Sequence, residues 1–180
     1  MPILVIGGSG RDVGKTALIC ALIRELSEFR WTAVKVSTHG HRSETIWEES
    51  EAGQGTDTAR YLAAGASRAL LVSAAGNAFP LGEVRAALAS NANVIFESNR
   101  VIDHLQPDIA VAIVGRGNDI KPPFAALLRR SNVVLLPPDQ DLFPTEMPDV
   151  PVFRVLDLGQ IPPGMITWLR ERLARLTGNR

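Results

Sequence analysis

The chain lacks the features that mark several large classes of protein. Its 180 residues contain one cysteine, Cys20, which excludes an intrachain disulfide and a multi-cysteine metal site. Lys and Arg together number 19, as do Asp and Glu, and there is no dense basic block, so neither a nucleic acid nor a membrane is expected as a partner. No apolar run approaches the ~20 residues that cross a bilayer, and the start does not resemble a signal peptide. We therefore expect a cytoplasmic protein.

Short β-branched runs alternate with helical patterns along the whole chain. Hydrophobic residues make up 46% of the sequence, which is enough for a folded core. Several of the runs are apolar without alternation, which is typical of strands buried on both faces of a parallel sheet. The pattern predicts one α/β domain over residues 1–180, a three-layer α/β/α sandwich with a mostly parallel sheet. The predicted strands are 3–6, 33–36, 69–72, 94–96, 109–114, 133–136 and 152–156, and the helices that follow the first are 57–64, 81–90, 123–130 and 164–176.

Two segments do not fit this alternation, 39–56 and 137–151. Loops longer than about 12 residues in a compact domain are commonly functional or mobile. The segment 39–56 is too polar to be buried and starts near the end of a predicted strand. We expect it to be a loop that orders on nucleotide binding, with its glutamates exposed.

The strongest motif follows the first predicted strand, where Gly7-Gly8-Ser9-Gly10-Arg11-Asp12-Val13-Gly14-Lys15-Thr16 leads into an amphipathic helix. Strand, glycine-rich loop and helix are the context of a phosphate-binding loop, in which backbone amides and the helix amino end surround phosphate oxygens. Lys15 would reach the outer phosphates and the Thr16 hydroxyl would bind Mg²⁺. The alternative is a glycine-rich turn that merely starts a helix. The predicted nucleotide contacts are Gly8, Gly10, Arg11, Asp12, Val13, Gly14, Lys15, Thr16 and Ala17.

The loop has one residue more than the standard spacing, and in this it resembles the loop of dethiobiotin synthetases, which also carry an acid-Val pair before Gly-Lys-Thr. Farther along, Val34-Lys35, His39-Gly40-His41, Asp57-Thr58 and Ala64-Gly65-Ala66 follow in an order similar to that of the molybdopterin-guanine dinucleotide biosynthesis protein B family. The resemblance covers roughly residues 3–100. It implies a P-loop NTPase fold, slow GTP hydrolysis, a partner protein of cofactor assembly and a homodimer.

Three further side chains are candidates for the chemistry. Lys35 ends a buried strand at the edge where open α/β sheets bind ligands, so it would neutralise a phosphate or a substrate carboxylate, unless it is simply solvated. Glu97 follows Val94-Ile95-Phe96 and would hold Mg²⁺ directly or through water, with a surface or helix-capping carboxylate as the alternative. Asp57 is a candidate metal ligand, a helix cap or both, and Asp12 is a further candidate for the ion's surroundings because it lies in the loop itself. Together with Lys15, we predict Lys35 and Glu97 as catalytic, and Thr16, Asp57 and Glu97 as the Mg²⁺ ligands.

The sequence does not identify the base. It has no Asn-Lys-x-Asp motif, and the acceptors that could pair with guanine are Asn118-Asp119 after one strand and Asp139 after another. The alternative is that these are ordinary turn residues. His39 and His41 have no third ligand at a suitable spacing, so solvated histidines are expected there.

Three functions remain open from the sequence. The first is an Mg²⁺-dependent nucleotide-binding protein, a slow GTPase that acts as an adaptor in molybdenum-cofactor assembly. The second is an ATP-dependent ligase of dethiobiotin synthetase type, although Ser98-Asn99-Arg100 stands where both families have glycine after the acid. The third is a non-enzymatic interaction module that docks through its acidic loop or through outward arginines of the last helix, Arg170, Arg172 and Arg175.

Overall fold

A computed structural model describes residues 1–38, 44–74, 78–89, 93–116, 120–140 and 148–178 of the chain. Within these residues eight strands form one sheet, four α-helices lie between strands, and a fifth follows the last strand. The strands are β1 (Ile3–Gly8), β2 (Trp31–Ser37), β3 (Ile46–Glu48), β4 (Arg68–Ser73), β5 (Asn93–Glu97), β6 (Ile109–Ile113), β7 (Val133–Leu136) and β8 (Val152–Arg154). The helices are α1 (Lys15–Glu25), α2 (Asp57–Ala63), α3 (Leu81–Leu88), α4 (Pro122–Arg129) and α5 (Pro163–Gly178).

The sheet is parallel except at one edge. Its order is β3-β4-β2-β5-β1-β6-β7-β8, and only β3 runs antiparallel to its neighbour. In this register Glu97, the last residue of β5, lies between Ile6 of β1 and Lys35 of β2. The carboxyl ends of the three central strands therefore meet, which is where open α/β sheets bind ligands.

Helices cover both faces of the sheet, as the apolar strands predicted. In β1, Leu4 and Ile6 pack in the core on the face of α1 and α5, while Val5 points into the core on the other face. The second core holds Val84 of α3 and Phe124 of α4. Each side chain of β5 and β6 is buried, because helices shield both faces. The predicted three-layer α/β/α sandwich is confirmed.

The segment 39–56 contains the main error of the sequence-based prediction, because β3 lies within it. Ile46 pairs with Val72, and Trp47 pairs with Leu71. The Glu48 carboxylate accepts two hydrogen bonds of 2.8 Å from the Arg68 guanidinium, an ion pair that also places charge on the sheet edge. β3 has only three residues and lies among glutamates. A strand pattern this short cannot be distinguished from a loop in the sequence. Residues 39–43, including His39 and His41, lie outside the described residues.

The part of the segment after β3 is also tied to the fold. The Glu49 carboxylate accepts hydrogen bonds from the hydroxyls of Thr56, at 3.0 Å, and Thr58, at 3.1 Å. Glu44, Glu48 and Glu51 are exposed, as predicted for the glutamates of this segment, whereas Glu49 is partly buried.

No helix within the described ranges is long and apolar enough to cross a membrane.

Proteolysis distinguishes a paired β3 from an open loop. We expect a Glu-directed protease to cut native protein after Glu51 at least about tenfold faster than after Glu48, because cleavage requires extended backbone that has left the sheet. Peptide mass spectrometry over a time course measures both rates. Equal rates, with or without a nucleoside triphosphate, would contradict the strand.

Candidate phosphate-binding site

The loop between β1 and α1 has the backbone expected of a phosphate site. Gly14 has a φ of 88°, and a Cβ there would lie 2.4 Å from a Leu158 methyl, so only glycine fits. No side chain of the described residues caps α1, and its first helical bond runs from Leu18 N to Gly14 O at 2.9 Å. The amides that precede Leu18 in the first turn have no helical partner. This uncapped helix start attracts anions.

Val13 packs between two glycines of the site. A Cβ on Gly8 would lie 2.4 Å from one Val13 methyl, and a Cβ on Gly115 would lie 2.5 Å from the other. The Val13 side chain therefore fills the space between these two glycines and packs against the core. Any contact of Val13 with a phosphate would be made by its backbone.

Asn99 holds the first residues of the loop. Its amide accepts a hydrogen bond of 2.8 Å from Gly8 N and donates one of 2.8 Å to Gly8 O. A Cβ on Gly7 would lie 2.4 Å from the Asn99 oxygen, so this close pairing requires glycine there. Before it, the Ser98 hydroxyl accepts hydrogen bonds from the amides of Arg100 and Val101 at 3.0 and 3.1 Å. The segment that departs from the glycine of the two similar families thus supports the phosphate loop.

Thr16 brings two carboxylates together. Its hydroxyl lies 2.9 Å from Asp57 Oδ1 and 2.9 Å from Glu97 Oε2. A hydroxyl has one proton, so it can donate to only one of the two carboxylates at a time. The hydroxyl oxygen then faces the oxygen of the other carboxylate with no proton between them. A cation between the three oxygens would make both contacts favourable. We call Thr16, Asp57 and Glu97 the oxygen triad.

The oxygen triad suits Mg²⁺ better than zinc. Its donors are all oxygens, and within the described residues no group of three or more His, Cys, Asp and Glu side chains could hold a metal. Mg²⁺ bound with a nucleotide usually takes one or two carboxylates and completes its shell with water and phosphate oxygens. The residues present therefore fit the predicted ion.

Lys35 balances the charge of the two carboxylates. Its ammonium forms ion pairs with Glu97 Oε1 and, at 3.0 Å, with Asp57 Oδ2, and its side chain is 24% exposed. Burial lowers the pKa of Lys35, but Glu97 and Asp57 outweigh it and raise the pKa above the usual value. Burial raises the pKa of Asp57, but Lys35, Thr16 and Arg60 together outweigh it and lower that pKa below its usual value. The alternative of a solvated Lys35 is wrong.

The structure also decides the alternatives for the two acids. Thr56 caps α2, since its hydroxyl accepts a hydrogen bond of 3.1 Å from Ala59 N, so Asp57 is not the cap. Asp57 is the first residue of the helix and points at Thr16 instead. Glu97 is only 2% exposed, which excludes a surface carboxylate.

Tyr61 is a site residue that the sequence-based prediction missed. It is fully buried, and its hydroxyl donates a hydrogen bond to Glu97 Oε2. Burial, and next the negative charge of Glu97, raise the pKa of Tyr61 well above its usual value, so it stays a donor. The spacing of Asp57 and Tyr61, one helical turn apart in α2, is the signal that could have placed both on one face.

Lys15 is the first residue of α1, and its side chain folds back over the phosphate loop. Its ammonium donates a hydrogen bond of 2.7 Å to Gly10 O. Burial is the largest cause that lowers the pKa of Lys15, with Lys35 adding to it and Glu97 opposing it. A phosphate oxygen could replace the Gly10 carbonyl as the acceptor of this hydrogen bond.

The other predicted contacts lie around this centre. Arg11 and Asp12 are exposed in the loop, Asp12 with a φ of 54°, and Ala17 belongs to the first turn of α1. Among the described residues Asp12 forms no hydrogen bond or ion pair with the oxygen triad, and its role near the ion stays a prediction. Asp139 pairs with Arg116 at 3.1 Å, while Asn118 and Asp119 lie outside the described residues.

Comparisons with known proteins identify the fold. No protein-family model matches the chain, and neither does any curated protein. The crystal structure of a MobB protein homolog from Bacillus stearothermophilus is 20% identical with a TM-score of 0.52, over 97% of this chain and 99% of that one. The structure of LpxK from Aquifex aeolicus in complex with ATP is 17% identical with a TM-score of 0.57, over 86% of this chain. The chain spans about half of that protein, 53% of its length. The fold is therefore that of P-loop NTPases and resembles that of the MobB homolog.

Asn99→Ala tests whether the Asn99 amide positions the phosphate loop. We expect Asn99→Ala to weaken binding of an Mg²⁺-bound, non-hydrolysable triphosphate by about tenfold, because two hydrogen bonds that shape the loop are lost. Isothermal calorimetry measures the affinity.

Asn132→Ala is the matched control. The Asn132 side chain accepts a hydrogen bond of 2.8 Å from Ala110 N, at the start of β6 and away from the loop. It should lose stability without losing triphosphate affinity. An equal affinity in both variants would show that Asn99 does not position the loop.

Proposed function

We propose that the protein binds a nucleoside triphosphate with Mg²⁺ and hydrolyses it slowly. The observation that carries this proposal is the oxygen triad beside an uncapped helix start, with the Lys15 ammonium held against the glycine-rich loop. The ATP in the Aquifex structure supports nucleotide binding by this fold.

Each side chain of the site has a role in this proposal. Lys15 would leave the Gly10 carbonyl to hold the outer phosphates, and the amides of the first turn of α1 would bind their oxygens. Thr16, Asp57 and Glu97 would hold the ion, directly or through water. Bound Mg²⁺ would neutralise charge that develops on the transferred phosphoryl group. Lys35, displaced from its acids, would face the same phosphate, while a water in line with the bond attacks.

We further propose GTP as the nucleotide and an adaptor role in molybdenum-cofactor assembly, with a cofactor-biosynthesis protein as partner and a homodimer as the assembly. The order of motifs over residues 3–100 supports this, as does the likeness to the MobB homolog over nearly the full length of both chains. Guanine would be read on the side of β6 and β7 by Asn118 and Asp119 or by Asp139.

One observation favours the ligase alternative. A cavity of about 620 Å³ adjoins the oxygen triad and is lined by Lys35. Simple hydrolysis does not need a space of that size. ATP would then be the nucleotide, and a small carboxylated substrate would occupy the cavity.

The docking alternative has less support. Arg170 pairs with Glu28 at 2.8 Å, and Arg175 pairs with Glu171 at 3.5 Å. The Arg172 guanidinium lies 5.4 Å from the centre of the Trp168 ring. All three arginines that the sequence offered for a partner are engaged within the chain.

Lys15→Ala tests nucleotide binding. We expect it to abolish calorimetric binding of non-hydrolysable GTP and ATP analogues in Mg²⁺, because the ammonium that neutralises the outer phosphates is lost. The melting temperature should change little, since Lys15 lies outside the core. The wild-type protein should bind the GTP analogue more tightly than the ATP analogue. Unchanged affinity in a folded variant would refute the phosphate site, and a preference for ATP would favour the ligase alternative.

Glu97→Gln tests the acid in hydrolysis. The amide keeps the size of the side chain but not its charge, so we expect the rate of phosphate release to fall roughly 10- to 100-fold and triphosphate affinity to fall less. Glu83→Gln, at an exposed acid of α3, is the control and should match wild type. An unchanged rate in Glu97→Gln would remove Glu97 from the ion's surroundings.

A further inference from the structure

The cavity beside the oxygen triad lies at the carboxyl ends of β2 and β4. Its volume of about 620 Å³ is within the range of small-molecule sites, about 300–1,000 Å³. Asp57, a member of the triad, and Lys35, which pairs with both triad acids, line the cavity, so the cavity adjoins the triad directly. The predicted base-reading residues follow β6 and β7, on the opposite side of β1. A nucleotide that extends toward them would leave this cavity open.

The cavity carries two cations and one acid among its described lining residues. The cations are Lys35 and Arg60, and the acid is Asp57. Lys35 pairs with Asp57 and Glu97, and Arg60 Nη1 lies 3.8 Å from Asp57 Oδ1. An ion held by the same two carboxylates would compete with both pairs. Binding of Mg²⁺ and nucleotide would therefore leave Lys35 and Arg60 without full compensation, facing the cavity.

One row of side chains across the sheet lines the cavity. Lys35 of β2 is the register partner of Leu71 of β4, which is the register partner of Trp47 of β3. Thr58 and Gln54 add polar groups to the lining. An ammonium in line with a leucine and an indole suits a ligand that has an anionic group and a flat apolar part.

We propose that this cavity binds a second ligand, a small phosphate monoester or carboxylate with a flat ring, next to the nucleotide. Lys35 and Arg60 bind its anionic group, and Trp47 and Leu71 contact its ring. The inference rests on the proposed nucleotide binding, because the ion at the triad frees the two cations. It explains why Lys35 stands between two sites, and it gives Arg60 and Trp47 a binding role.

Phenyl phosphate is a suitable probe, with phenol as its uncharged match. The protein is first saturated with Mg²⁺ and whichever non-hydrolysable triphosphate binds, so that the phosphate loop is filled. Calorimetry then measures phenyl phosphate binding. We expect saturable binding to the filled protein, at least about tenfold weaker binding of phenol, and tighter phenyl phosphate binding with Mg²⁺ and triphosphate than with neither.

Variants of the cavity lining test whether phenyl phosphate binds in the cavity or elsewhere on the surface. Arg60→Gln should weaken phenyl phosphate binding at least about tenfold, and Arg60→Lys should restore most of it because the charge returns. Trp47→Leu should weaken it severalfold. Arg129→Gln, at an exposed arginine of α4 distant from the cavity lining, is the control and should equal wild type. The triphosphate affinity of each variant is measured first.

Each failure points to a different error. A wild-type protein that binds no triphosphate contradicts the proposed function. If triphosphate binds and phenyl phosphate does not, the second site is wrong. Phenyl phosphate that displaces the triphosphate, or binds Arg60→Gln as tightly as wild type, also overturns the inference, since the probe would then occupy the phosphate loop or another surface.

Discussion

The buried carboxylate of Glu97 is the interaction on which the rest of the site depends. An ionised carboxylate that is almost completely buried is tolerated only when charge and hydrogen bonds replace water. Here an ammonium and two hydroxyls do so, from Lys35, Thr16 and Tyr61. These come from β2, α1 and α2, so one side chain of β5 holds three other elements in place. Removing one partner of such a pair typically costs roughly 3–5 kcal/mol.

That arrangement also gives the site two states of charge. Without an ion, Lys35 balances the two acids, and the cluster is stable as it stands. A divalent ion at the triad would compete with Lys35 for the same oxygens, and the Lys35 ammonium would then be available to another anion. The same lysine can therefore serve a phosphate on one side and a ligand of the adjoining cavity on the other, which links the GTPase and ligase alternatives through one physical feature.

Close packing shapes the phosphate loop as strongly as charge does. Asn99, Val13 and Leu158 each occupy the space where a side chain on a loop glycine would lie. Val13 belongs to the loop itself, while Asn99 and Leu158 come from segments distant in sequence, and together they fix the path of the loop. The glycine that the two similar families have after their acid is replaced here by residues that contact the loop themselves. The departure at Ser98 and Asn99 changes how the loop is supported and is compatible with nucleotide binding.

The sequence by itself determined the features that depend on near neighbours. Apolar β-branched runs predicted seven of the strands of the sheet, and the glycines, Lys15 and Thr16 predicted the phosphate loop because its parts are contiguous. Lys35 and Glu97 could be placed at one edge since parallel strands end together. Only the tertiary structure decided β3, which is a strand because β4 lies beside it. The same holds for Tyr61 and Asn99, whose partners are 36 and 91 residues away. A buried tyrosine or asparagine looks the same in sequence whatever it contacts, because its role is set by the atoms that folding brings to it.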